Sequence, residues 1–334
     1  MKTKLLYVLV SSQEDNYLEM AHISITSAKY HMPDSHVVLI VDDVTDKAMD
    51  ENRKKILENV DEYIVIPFPK EESFHIRSRL IKCGSRKYVK GDYLYMDVDT
   101  IVVKPLYEID NVNASVAAVN SYHHDFSDVS LRADQEFDVV SCEKLGFPIR
   151  EEKDFFNGGV ILVKDDDIAN KFYEMWLDEY KKSCHKGILR DQPSLMKTNY
   201  QMGHIIQHLE DIWNVQIVHG IKYLKDAKIC HYYTSGYRVG VQSFVLRQEK
   251  SFLSLKEDLY SINSDFYMLL MRDPFVGLSQ NSRLITGNEL LFMNTWLCNA
   301  LYYWYCDKRK LFERIQSIFK AMVKMKQDLR FSNR

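Results

Sequence analysis

Strand and helix signals alternate through the first 120 residues, and this alternation restricts the possible folds more than any other feature of the chain. The apolar run 5–10 reads as a strand, and residues 17–30 carry Leu18, Ala21, Ile25 and Ala28 on one helical stripe. A strand over 37–41 is ended by Asp42-Asp43, a charged helix is expected over 46–59, and a strand over 63–66 is closed by Pro67 and Pro69. A helix over 76–88 then leads into the strand Tyr93-Leu94-Tyr95-Met96. Strands that alternate with helices form a mainly parallel sheet covered on both faces, giving an α/β class in which ligands bind beyond the carboxyl ends of the strands.

Asp97-Val98-Asp99 stands at such an end, with Ile101-Val102-Val103 following it. Residues two apart in extended chain point to the same side, so Asp97 and Asp99 present two carboxylates together. Hard cations such as Mg²⁺ and Mn²⁺ take oxygen ligands and share them with bound phosphates. An Asp-x-Asp at a strand end therefore suits a metal–nucleotide complex; its bland reading is a solvated turn.

No G-x-G-x-x-G and no G-x-x-x-x-G-K-[ST] occurs, so neither a dinucleotide site nor a P-loop is supported. The Gly-rich N-terminal loop of sugar nucleotidyltransferases is missing too. Metal and side chains would have to hold the phosphates of any bound nucleotide. The net charge of −3 gives no global reason to expect nucleic acid. The six cysteines include no C-x-x-C pair, as expected of reduced thiols in a cytoplasmic compartment. The apolar run at 5–10 is too short for a secretory core, and no stretch is long enough to span a bilayer.

Residues 121–147 are polar and mixed, and read as a loop or a lid. A strand over 155–164 contains Asn157-Gly158-Gly159, and glycines inside a strand mark a bulge or a close approach. A helix over 165–182 buries Phe172, Met175, Trp176 and Tyr180, and Asp191-Gln192-Pro193 opens another. Strands near 216–218 and 227–233 complete a catalytic domain spanning 1–240, and 241–334 forms a mostly helical C-terminal region. Residues 308–334 carry nine Lys or Arg against only Glu313 and Asp328, with Ile315, Ile318, Phe319, Met322, Val323 and Met325 on a broad apolar stripe. Two readings fit: a basic helix lying on an anionic membrane, or a surface helix packed on its own domain.

Taken in order, the motifs over roughly residues 4–236 resemble glycosyltransferase family 8. Val10-Ser11-Ser12-Gln13-Glu14-Asp15-Asn16-Tyr17 is similar to its first loop, and Arg79-Leu80 to the Arg-Leu pair before the metal motif. Tyr93 through Val102 is similar to Tyr-Leu-Asp-x-Asp-x-hydrophobic, and Phe156-Asn157-Gly158-Gly159-Val160 to Phe-Asn-(Ser/Gly)-Gly-hydrophobic. Asp191-Gln192-Pro193 matches its Asp-Gln helix start, and Trp213-Asn214 its later Trp-Asn. The chain departs at His231-Tyr232-Tyr233-Thr234-Ser235-Gly236-Tyr237-Arg238. There the His remains, the glycine is displaced and the Lys-Pro-Trp of the family is missing, leaving Arg238 as a substitute for the diphosphate-contacting lysine.

The resemblance implies a GT-A fold and a retaining transferase that moves a hexose, glucose or galactose, from a UDP-sugar to a glycan or glycolipid. It implies Mn²⁺ or Mg²⁺ on Asp97, Asp99 and His231. Donor contacts would come from Ser11, Asp15, Asn16, Tyr17, Arg79, Asp97, Val98, Asn157, Gly158, Gly159 and Asp191, with Asp191 and Gln192 as catalytic groups. Tyr17 would stack on uracil, or simply pack as the first residue of its helix. The site would work in the cytoplasm, with peripheral contact through 308–334 on the inner membrane face. Another metal-dependent GT-A enzyme (an inverting transferase or a nucleotidyltransferase) and a non-catalytic sugar-nucleotide-binding protein are the competing readings.

Overall fold

A computed structural model of the chain describes residues 1–68, 72–123, 126, 133–233, 254–263, 265–278, 292–293 and 295–332. The chain divides into two compact units, one built from Met1–Ser130, Phe137–Thr234 and Gln242–Asn281, the other from Leu131–Glu136, Ser235–Val241 and Ser282–Arg334. The cysteines are free.

The first unit carries a seven-stranded sheet. Four parallel strands lead it: β1 (Lys4–Leu9), β2 (Val37–Asp42), β3 (Glu62–Ile66) and β4 (Tyr93–Met96). Two later strands, β6 (Val116–Asn120) and β7 (Phe156–Val163), and the short β8 (Ile206–His208) give the order β3-β2-β1-β4-β7-β6-β8. β7 runs antiparallel to both of its neighbours, β4 and β6. Every residue of β2, β4 and β7 is buried, as continuous apolar runs covered on both faces require. A smaller sheet, β5-β10-β9, joins β5 (Thr100–Val102), β10 (Ile229–His231) and β9 (Val215–Gln216). The α/β class and the mainly parallel mixed sheet expected from the sequence are the ones observed.

Helix α1 (Tyr17–His31) places Leu18, Ala21, Ile25 and Ala28 against the main sheet, while Met20 and Ile23 on its other side enter a second apolar cluster with Tyr267 and Leu270. Three expectations need correction. The single helix over 46–59 is two pieces. Asp42 caps α2 (Asp43–Ala48) by accepting from the Thr45 amide, and the Asp50 carboxylate accepts from the Arg53 amide to start a separate 3₁₀ turn over Arg53–Asn59. The helix over 76–88 is α3 (Phe74–Cys83), which stops at Gly84. A Cβ at Gly84 would lie 3.0 Å from the Leu80 carbonyl, so the tight last turn of the helix favours glycine there, while Leu177 of α5 (Asp167–His185) sits at ordinary contact distance, 3.5 Å. The segment over 121–147 is not all loop. It holds α4 (Ala133–Lys144), whose Val139 and Cys142 enter the core with Phe147, and residues 124, 125 and 127–132 lie outside the described residues.

The C-terminal region is helical where described, with helices over Trp296–Asp307 and Arg309–Ser332. The Arg309 guanidinium lies over the Tyr305 ring at 4.0 Å from its centroid and pairs with Glu313. Ile318, Phe319 and Met322 are exposed. No described helix is long and apolar enough to cross a membrane.

Candidate active site at the carboxyl end of the sheet

The turn after β4 is pinned from three sides. The Asp97 amide donates to the Gly159 carbonyl of β7 at 2.7 Å, the Thr100 hydroxyl donates to the Asp97 carbonyl, and the Tyr232 amide donates to the Asp99 carbonyl. Antiparallel pairing of β5 with β10 sets His231 opposite Thr100, and so beside the Asp pair. His231 Nε2 lies 3.1 Å from Asp99 Oδ1 and 3.9 Å from Asp97 Oδ2. One ligand atom from each of the three residues falls within 4.8 Å of the others. Two carboxylates and one imidazole so gathered are a donor set that fits Mn²⁺ or Mg²⁺. Burial raises the Asp99 carboxyl pKa, but the facing His231, with help from a backbone hydrogen bond and Lys82, offsets this and leaves it below the usual carboxylate range.

A second charged group adjoins the first. Lys82 of α3, 7% exposed, sets its ammonium 2.8 Å from Asp191 Oδ2 and 3.4 Å from Asp97 Oδ1. Burial pulls the pKa of this amine down; Asp191 and then Asp97 more than reverse that and hold it above the ordinary lysine value. Arg79, one turn earlier, has Nε 3.7 Å from Asp191 Oδ1. Burial likewise opposes ionisation of Asp191, and Lys82 and Arg79 together hold its pKa below the usual range. Tyr95 donates to Asp97 at 2.5 Å and lies under the Lys82 ammonium. In the sequence nothing local separates Lys82 from Arg77, Arg79 and Arg86 around it. The three-residue step from Arg79 puts both on one helical face. Arg77 is committed to Asp42 at 2.5 Å, and Arg86 to Asp165, Asn170 and the Gly91 carbonyl.

Asp191 precedes α6 (Gln192–Gln201) at the cap position but makes no capping bond, since its carboxylate faces Lys82 and Arg79. Gln192 donates from Nε2 to the Ser121 hydroxyl at 2.8 Å and to the Phe156 carbonyl at 3.1 Å. The two glycines of β7 make room. A Cβ on Gly158 would meet Lys82 Nζ at 3.2 Å, and one on Gly159 would lie 2.1 Å from His231 Cε1. Asn157 is turned inward, its Oδ1 accepting from the Gly159 amide and from Asn214 Nδ2.

The first loop leaves β1 beside β4 and so opens at the same end of the sheet. Asp15 organises it. Its Oδ1 accepts from the Ser11 hydroxyl and the Tyr17 amide, its Oδ2 from the Ser12 amide and hydroxyl. Arg53 donates to the Ser12 carbonyl at 2.6 Å and the Asp15 carbonyl at 3.3 Å, and its own charge is met by buried Glu19 at 3.0 Å. Asn16 occupies the cap position of α1 without a capping bond. The Tyr17 ring packs on Phe74, 5.3 Å between centroids. Val98 is half-buried, and Arg238 lies outside the described residues.

No protein-family model matches the chain, and no curated protein does. Solved structures of similar shape include the galactosyltransferase LgtC in complex with donor and acceptor sugar analogues, at 15% identity over 76% of this chain and 95% of that one, with a TM-score of 0.47. Mouse xyloside xylosyltransferase 1 in its apo form is similar at 14% identity over 69% of this chain and 97% of its own, TM-score 0.44. The glycosyltransferase GlyE of Streptococcus pneumoniae is similar at 17% identity over 81% and 63%, TM-score 0.48. Likenesses this distant leave the functional reading to the side-chain geometry.

Proposed function

We propose that the chain is a GT-A-fold, retaining glycosyltransferase that moves a hexose, glucose or galactose, from a UDP-sugar to a glycan or glycolipid acceptor. The observation that carries this reading is the placement of the Asp97, Asp99 and His231 donor set next to the Lys82–Asp191 pair at the carboxyl end of the sheet. The first group suits a divalent metal, and the second offers a buried ammonium to an anion. Together they suit a sugar diphosphate, whose departure from the anomeric carbon leaves charge on phosphate. A bound Mn²⁺ or Mg²⁺ supplies Lewis-acid neutralisation of that charge. Asp97, Asp99 and His231 would hold it.

Lys82 takes the role for which the sequence offered only Arg238: a fixed positive charge for the leaving diphosphate, preorganised by two carboxylates. Arg79 adds a planar fork of donors beside it. Asp191 orients sugar hydroxyls, and Gln192, tethered through Nε2, keeps its Oε1 for the anomeric centre. Asn16 reads the uracil edge, because both oxygens of Asp15 are spent on the loop; Tyr17 and Ser11 line the same loop. The catalytic region reaches to residue 240, and the C-terminal region serves the acceptor. Its basic residues over 308–334 rest on an anionic cytoplasmic membrane face.

The test is UDP release from a panel of UDP-hexoses with Mn²⁺ and with EDTA. Release from one donor that needs Mn²⁺ and disappears in a folded Asp99→Asn variant is the expected result. Silence across the panel, together with no UDP·Mn²⁺ binding by calorimetry, would overturn the reading. Deleting 308–334 should lower co-sedimentation with vesicles of anionic lipid; unchanged partitioning would remove the membrane from the proposal.

A further inference from the structure

His231 can serve as a ligand through Nε2 only if the other ring nitrogen is kept protonated, and a buried chain of amides decides which nitrogen that is. The chain starts at a group whose role is fixed. The Gly159 backbone N–H can only donate, and it points at the side chain of Asn157 at 2.8 Å, so the atom there is the Asn157 carbonyl oxygen. That oxygen also lies 2.9 Å from the side-chain amide of Asn214, which must therefore present its NH₂ group. The opposite end of the Asn214 amide is then an oxygen, and it faces His231 Nδ1 at 3.0 Å. An oxygen that can only accept requires an N–H at Nδ1. Every member of the chain is enclosed: Asn214 and His231 are 0% and 2% exposed, Asn157 7%. Water therefore cannot readily replace a partner, and reversing any one amide would set oxygen against oxygen or NH₂ against N–H.

We infer that Asn214 is a positioning residue. It holds His231 with Nδ1 protonated and Nε2 aimed at Asp97 and Asp99, so that Nε2 is the nitrogen offered to the metal. The inference rests on the metal site of the proposed function. The same relay explains why β7 carries glycine at 159, whose missing side chain is what lets the His231 ring sit against the strand. It also gives Trp213-Asn214 a physical role: Trp213 is buried in the core beneath it, fixing the backbone from which the amide projects.

The experiment has two arms on the full chain. In the first, long-range ¹H–¹⁵N correlation of the metal-free ¹⁵N-labelled protein reads the ring directly, with the signals assigned by their loss in His231→Gln. Nδ1 should carry its proton whether or not Nε2 does. A ring with bare Nδ1 and protonated Nε2 would overturn the inference without any variant being made. In the second arm, Mn²⁺ is titrated in the presence of UDP into wild type, Asn214→Leu and Asn214→Asp. Loss of a partner behind a metal-binding histidine costs about 10–100-fold in metal affinity, and that is the expected loss for Asn214→Leu. Asn214→Asp retains an acceptor for Nδ1–H but sets an oxygen against Asn157 Oδ1, and should lose less affinity than Asn214→Leu. Equal affinity in wild type and Asn214→Leu would sink the inference. Failure of wild type itself to bind Mn²⁺ would sink the metal reading, and the ring spectrum would still decide the role of Asn214.

Discussion

The sharpest test of the site's geometry is a single methyl group. Gly159→Ala places a Cβ 2.1 Å from His231 Cε1, 2.7 Å from its Nδ1 and 2.9 Å from Asn157 Oδ1. Carbon atoms in good contact sit about 3.5–4.0 Å apart, so the ring must retreat by roughly 1.4 Å. The strand cannot give way instead, because β7 lies between β4 and β6 and its Gly159 carbonyl holds the Asp97 amide at 2.7 Å. Nor has the ring free space: it is 2% exposed, bonded to Asn214 and packed on Tyr233 at 4.7 Å between centroids. Overpacking of this kind costs about 1–3 kcal/mol of stability, read as a lower urea midpoint. A misplacement near 1 Å at the reacting centre is worth on the order of 100-fold in rate, so Mn²⁺-dependent UDP release should fall by about that much. Gly158→Ala is the comparison for stability alone. Its nearest atoms are Lys82 Nζ at 3.2 Å and Asp191 Oδ2 at 3.3 Å, and the end of a lysine chain can move. A folded Gly159→Ala protein with wild-type Mn²⁺ affinity and turnover would refute the placement of His231 against the strand.

Replacing Lys82 by Met removes the shared partner of Asp97 and Asp191, and should lower turnover by roughly 100- to 1,000-fold with the fold retained in circular dichroism; unchanged turnover would take Lys82 out of the mechanism. Arg53→Met strands the buried Glu19 carboxylate and should cost about 3–5 kcal/mol in urea unfolding. Pairing it with Glu19→Leu should restore much of that stability while UDP affinity stays low, because the Ser12 and Asp15 carbonyls still lack their donor. Recovery of both together would reduce the pair to a stability element. His22, 4% exposed and bonded through Nε2 to the Leu259 carbonyl, has its pKa pushed down to about 4, chiefly by burial. The unfolded chain then binds the extra proton first. Stability should be full above pH ~6.5 and fall by an order of 3 kcal/mol as the pH drops to about 4. Urea midpoints across that window should be flatter in His22→Gln, and parallel profiles would contradict the assignment.

Most of the sheet was legible because its signals are local. The strand at 93–96 is a run of four buried residues closed by Asp97, and its bounds need nothing from the rest of the chain. The stripe Leu18, Ala21, Ile25, Ala28 likewise states its own period. The errors lie where one residue type can do two jobs. Asp50 looks like one more charge on a helix surface, yet its carboxylate takes the Arg53 amide and starts a new turn. In 121–147 the apolar positions Val139 and Cys142 are diluted by polar neighbours that composition weighs equally, and only packing against the core reveals a helix there.

The site divides in the same way, and the division says where its specificity resides. Asp97 and Asp99 are readable because a strand's period of two brings them together without help. Lys82 is not readable, since its role is made by Asp191, far along the chain, and by the absence of a side chain at Gly158. His231 reaches Asp99 only through the pairing of β5 with β10, and its ring is oriented only through Asn214 and Asn157. A motif search therefore sees the carboxylates and misses what tunes them. Each tuning contact spans different strands or helices and is closed by a buried group with one possible hydrogen-bonding role. In the proposed site an ammonium on α3 takes the place of a basic residue expected near the end of the domain. The substitution Lys82→Arg tests that assignment. It keeps the charge but needs more room beside Gly158, so turnover should fall while the overpacking lowers the urea midpoint only modestly. Full turnover would mean that charge alone, and not the shape of the Lys82 pocket, is what the site requires.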